Sequence, residues 1–212
     1  MRQDDAPPHA DSPSDFSNGL SGAMDLLSPL AHNLLKLNRV DAYTRLVMKG
    51  QGNEEAREML DMLQPDQLLS VPLASRQNGR AMLAGLWLWH DWLDQSHAIS
   101  QDLHDATGSF WHAMLHRREG DFSNSKYWFT RAGRHTIYPA IGVAAGAIIN
   151  PLPADKSYLR LLRDGWDPGA FVDLVEEVSK DPHDARLPSV VAIQRIEWQL
   201  LFDHCARQAA GR

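Results

Sequence analysis

The sequence predicts an all-α fold: one compact domain of about eight to ten modest helices, built from antiparallel hairpins and preceded by a disordered acidic tail. Three observations predict it. From Met24 onward apolar residues recur three and four apart along nearly the whole chain, the spacing of one helix face. No segment alternates apolar and polar with the β-branched enrichment of a strand. Helix stop and start residues, chiefly Gly, Pro, Asn and Asp, fall between the periodic segments.

Residues 1–22 hold Pro, Ser, Gly and Asp with almost no large apolar side chains, too few to offset the entropy of ordering. Residues 23–212 form the helical domain. "MDLLSPLAHNLLKL" opens it, and "NEEAREMLDML" follows with Asn53 as N-cap and carboxylates in its first turn. Pro65, Pro72 and "SRQNG" at 75–79 mark turns before the longest expected helix, 81 to about 104. Gly108, Gly120 and Gly133 then punctuate short helices near 110–119 and 123–132. Further helices are expected through "TIYPAIGVAAGAII", near 155–163, through "DPGAFVDLVEEVSK" and from 188 to about 208. Gly142 and Gly146, four apart among alanines, suit close helix packing.

A chain of 212 residues, 43% hydrophobic and 23% charged, supports one sizeable core and no second. Its net charge of -6 argues against a nucleic-acid surface, whose footprint is basic. Cys205 is the only cysteine, which excludes an intramolecular disulfide and a cysteine-rich metal site and suits a reducing cytoplasm. The weakly polar run 137–149, interrupted by Pro139, is too short to span a bilayer, and the N-terminus lacks the apolar core of a signal peptide.

The chemistry concentrates between His90 and His135, where six of the 10 histidines lie. No Lys, Arg or Glu occurs from Ala81 to His116, although these are ordinary residues of a solvated helix face. On one continuous helix, His90, Asp94, His97, Gln101 and His104 would share an arc of roughly 80° opposite Leu88, Trp92, Ile99 and Leu103. In the next helix His112, His116 and Glu119 share roughly 60°. A short connection would set the two stripes face to face, bringing His97 near His116 and Glu119, and Gln101 and His104 near His112. Imidazoles and a carboxylate so converged can hold a divalent metal, with His97, His112, His116 and Glu119 as ligands. They can also work without metal, with a histidine as base and Arg117 or Arg118 clamping an anion. Asp121, Asn124 and Tyr127 stand one turn further as rim contacts. The spacing H-x-x-x-H-x-x-E is not the H-E-x-x-H of zinc peptidases, because Ala113 stands at that glutamate's place.

Each feature also has a plain structural reading. The arginines complement a helix dipole, Gly120 ends the helix, and Asp121 or Ser123 caps the next. The run Gly120, Asp121, Phe122, Ser125, Phe129, Ala132 resembles the middle of one tetratricopeptide repeat. With no matching turn about 34 residues away, it supports a single helix pair.

The block "TGSFWHAMLHRREGDFSNSKYWFTRAGRH", with "SHAISQ" before it and "IQRIEWQLLFDHC" after, resembles a family of helical proteins from bacteria and fungi to which no reaction is attached. The resemblance implies that His97, Gln101, His112, His116, Arg117, Arg118, Glu119, Asp121 and Asn124 belong to that family's characteristic pattern. Three functions are open from the sequence. One is a pocket for a polar or anionic small molecule, with hydrolase or lyase chemistry that runs either with a divalent metal as cofactor or without metal. The second is a helical module for a protein partner or self-association. The third is a buried polar network that fixes helix register.

Overall fold

The computed structural model describes residues 23–212. It contains, among them, α1 (Pro29–Lys36), α2 (Glu54–Asp61), α3 (Arg76–Trp89), α4 (Leu93–Ser100), α5 (Ala106–Glu119), α6 (Phe122–Ala132), α7 (Tyr138–Ile149), α8 (Lys156–Leu162), α9 (Pro168–Val178) and α10 (Leu187–Ala209). The tail read from composition at 1–22 lies outside the described residues. No strand occurs among the described residues, only isolated bridges between Leu27 and Leu69 and between Arg163 and Gly165. No described helix is long and apolar enough to cross a membrane.

The helix starts follow side-chain chemistry. Ser28, Asn53, Asp105, Asp121 and Asp167 each accept a hydrogen bond from the backbone N–H three residues on, satisfying an amide the helix itself leaves unpaired. The core gathers around α10, which packs on α3, α7 and α9. Trp198 on α10 lies 4.4 Å from Trp89 of α3 between ring centroids and 4.8 Å from Phe202. Its indole N–H donates to the Gly85 carbonyl at 2.9 Å, so this large ring is buried without leaving its donor unpaired. Gly142 and Gly146 of α7 face Leu162 and Trp166, but an added Cβ there would make only ordinary van der Waals contact, so the unusually close approach their spacing suggests does not occur at these neighbours.

One expected element is corrected. The single helix over 81–104 is two, α3 and α4, broken at His90, Asp91 and Trp92. The break is a Schellman motif: the Trp92 amide reaches back to the Trp87 carbonyl at 3.0 Å and the Asp91 amide to Leu88 at 3.2 Å. Asp91 holds the left-handed position at φ 66 that glycine ordinarily fills. Aspartate tolerates it better than most residues, and three tertiary bonds secure the turn. The His90 Nε2–H donates to the Leu34 carbonyl at 3.1 Å, the Trp92 indole to the Asn53 carbonyl at 2.8 Å, and the Asn53 amide to the His90 carbonyl at 3.0 Å. The chain therefore folds back, and Ser96 of α4 donates to the Ala84 carbonyl of α3 at 2.9 Å.

Gly108 is the second correction. It lies within the first turn of α5 rather than between helices, and a Cβ there would stand 2.2 Å from the Leu103 carbonyl oxygen. Its missing side chain lets the link at 101–105 close tightly, so α5 returns antiparallel to α4. Gly120, at φ 83, ends α5 as expected, and α6 follows at once to complete the α5–α6 hairpin.

Candidate functional site

Three helices meet where the histidines gather. α4 supplies His97, while α5 supplies His112 and His116 one turn apart. Ring centroids lie 4.6 Å apart for His97 and His112, 5.5 Å for His97 and His116, and 4.7 Å for the stacked pair His112 and His116. One nitrogen from each residue lies within 4.8 Å of the other two. His112 and His116 are buried and His97 is partly buried, so the cluster sits at the rim of the domain with its α4 side toward solvent.

Neighbouring side chains fix how His116 presents itself. The Asn124 amide nitrogen stands 3.0 Å from His116 Nε2. An amide NH2 only donates, so Nε2 accepts and the ring proton sits on Nδ1. That Nδ1–H points at the Glu119 carboxylate, 2.7 Å away. This is the carboxylate–histidine arrangement by which metal sites orient a ligand and raise its basicity. Glu119 thus backs His116, and the three-histidine group does not include it as a fourth member.

His112 is held differently. Trp128 of α6 stacks on it at 3.9 Å with an interplanar angle of 13°. Burial, reinforced by the adjacent His116 and His97, pushes its imidazole down to about 3, so the ring stays neutral, the form that coordinates metal. Its Nδ1 is buried without a partner in the protein, a cost native folds seldom leave uncompensated. Three imidazoles on two helices suit a divalent ion of the zinc type, with at least one position left for another molecule.

The remaining expected residues divide. His90 is 2% exposed and turned to Leu34, so the break at Asp91 removes it from the histidine stripe. Gln101 and His104 are exposed beyond the end of α4, and His104 borders a separate surface hollow with Arg76, Gln77 and Arg80. Asp121 caps α6, and the Asn124 N–H holds its carboxyl below the usual carboxylate range. Tyr127 is 55% exposed on the rim, where its hydroxyl accepts from Arg131 at 3.4 Å.

Arg117 and Arg118 are corrected as anion clamps. Both are 0% exposed. Arg117 is ion-paired with the equally buried Glu197 of α10 and lies over the Phe171 ring at 4.7 Å. Arg118 is paired with Asp91 and lies over Tyr43 at 4.3 Å. The reason is angular: successive residues on a helix diverge by about 100°, so the residues after His116 turn away from the histidine face and into the core. There the Arg118–Asp91 pair ties the α3–α4 turn to α5, and with it the helix that carries His97.

Sequence reasoning missed two residues of the site, Trp128 as the ring that stacks on His112, and Arg131. The signal was present in their spacing, since Asn124, Trp128 and Arg131 fall at i, i+4 and i+7 on one face of α6. No family model, no curated protein and no solved structure matches this chain. The resemblance of the 107–135 block, with 96–101 and 193–205, to a helical family is therefore confirmed by none of these comparisons.

Proposed function

We propose that this chain binds a divalent metal ion through His97, His112 and His116, with Glu119 orienting His116, and acts there on a polar small molecule by hydrolase or lyase chemistry. The convergence of three imidazole nitrogens within 4.8 Å from two separate helices carries the reading. A held ion would polarise an electron-rich group of the substrate and lower the pKa of a water molecule, the usual contributions of such a site. The protein's own part is to keep His112 neutral by burial, fix the three imidazoles on two helices and leave the α4 side accessible. The lone buried Cys205 agrees with a reducing cytoplasmic setting.

The buried-network reading is favoured for one part of the cluster, the Arg117–Glu197 and Arg118–Asp91 pairs. Calorimetric titration of the chelator-treated protein with Zn2+ tests the proposal. One equivalent should bind to the wild type and none to His112→Ala/His116→Ala, with helical circular dichroism unchanged. Equal binding by both proteins would overturn it.

A further inference from the structure

With the arginines after His116 committed to the core, the charge beside the histidines comes from α6. Asn124 contacts His116, Trp128 stacks on His112, and the Arg131 guanidinium lies 5.2 Å from the Trp128 ring and 5.9 Å from the Tyr127 ring. Arg131 is exposed and forms no ion pair with a carboxylate among the described residues. Its two aromatic neighbours hold it in place, and although its Nη1 donates a long hydrogen bond to the Tyr127 hydroxyl, the other guanidinium donors remain for an oxyanion.

Resting on the metal reading above, we infer that the site takes a small two-headed anion, one anionic group at the histidine centre beside Asn124 and the other on Arg131. Charge supports this. Imidazole coordinates in its neutral form, so three of them leave the charge of a divalent ion uncancelled; Arg131 adds another positive charge, and the nearby carboxylates are engaged, Glu119 on the far side of His116 and Asp121 as the cap of α6. A neutral or cationic ligand would leave both the metal and Arg131 without a counter-charge; a ligand with an anionic group at each end meets both. Coordination of His116 Nε2 would also displace the Asn124 amide from that nitrogen, and the amide then stands beside the centre as a hydrogen-bond donor. Asn124 and Arg131 are seven residues apart on α6, about 10 Å along the axis before side-chain reach is counted. The two anionic groups should therefore be separated by a short chain rather than share one carbon.

The test uses Co2+-loaded full-length protein, whose visible spectrum reports on ligands at the metal. Acetate, malonate, succinate, glutarate and adipate are titrated into wild type and Arg131→Gln. The longer diacids should bind the wild type more tightly than acetate does, and Arg131→Gln should weaken them about fivefold or more while acetate is unchanged. Arg131→Lys should restore part of the diacid affinity. Diacids no tighter than acetate, or an equal loss for both in Arg131→Gln, would overturn the inference while leaving the metal centre standing. Failure of Co2+ to bind would instead remove the centre itself.

Discussion

Replacing Arg117 by Met tests whether the first arginine of the "HRRE" run belongs to the core or to a ligand. Arg117 and Glu197 are each 0% exposed, and they meet through one guanidinium nitrogen and one carboxylate oxygen, the Arg117 Nη1 and Nε and the other Glu197 oxygen having no protein partner. Burial pushes the Glu197 carboxyl up, and Arg117 opposes that push. Taking away the arginine leaves a carboxylate without its counter-charge in the core, a change that costs about 3 to 5 kcal/mol. Glu197→Leu alone strands Arg117 at a similar cost. The double variant carries no charge there, and because the native pair is only partly satisfied it should lie within about 1 kcal/mol of wild type. Urea unfolding followed by circular dichroism measures all four proteins, and an unchanged denaturant slope verifies that compactness is preserved. Zinc affinity should be the same throughout. Additive single effects below about 1 kcal/mol, or loss of metal or anion binding in Arg117→Met with stability intact, would refute the assignment.

Three further outcomes follow from the geometry. Glu119→Gln should lower metal affinity about 10- to 100-fold with little change in unfolding free energy, since it loosens the partner that orients His116; competition with a chromophoric chelator reads it. Asp91→Ala should cost about 3 kcal/mol or more by urea unfolding, because it strands Arg118 and puts alanine in a left-handed conformation, and it should weaken metal binding as α4 loses its tie to α5. Acid should destabilise the fold through His90, which burial pushes down from 6.5 to about 4. The unfolded chain takes up that proton first, so His90's contribution is complete above pH 6.5 and falls as pH drops toward 4, by about 3 kcal/mol in all. The difference between wild type and His90→Gln across that window isolates the effect, and parallel pH curves would contradict it.

What the sequence made legible followed short-range rules. The helix class, the caps at Asn53 and Asp121, the Gly120 stop, and the alignment of His112, His116 and Glu119 all come from spacing within one helix. His97 was placed against them by a hairpin argument that needed only a short link. The break at Asp91 was hidden because aspartate stands where a Schellman turn ordinarily shows glycine, and its support comes from Leu34, Asn53 and Arg118, distant in sequence. The arginines misled for a related reason. α5 is buried from Thr107 to Arg118, so it has no solvated side to which its arginines could be assigned, and basic residues in a last turn look like dipole partners until Glu197, 80 residues on, is seen beside Arg117. Arg131 is not singled out in the sequence, because its placement depends on the ring that it covers.

The most direct measurement is X-ray absorption at the zinc edge on protein loaded with one equivalent of Zn2+. A centre formed by His97, His112 and His116 predicts three imidazole nitrogens at about 2.0 to 2.1 Å with the multiple-scattering pattern of histidine, lost in His112→Ala/His116→Ala. A shell of oxygen ligands alone, or a spectrum that the double variant leaves unchanged, would contradict the account.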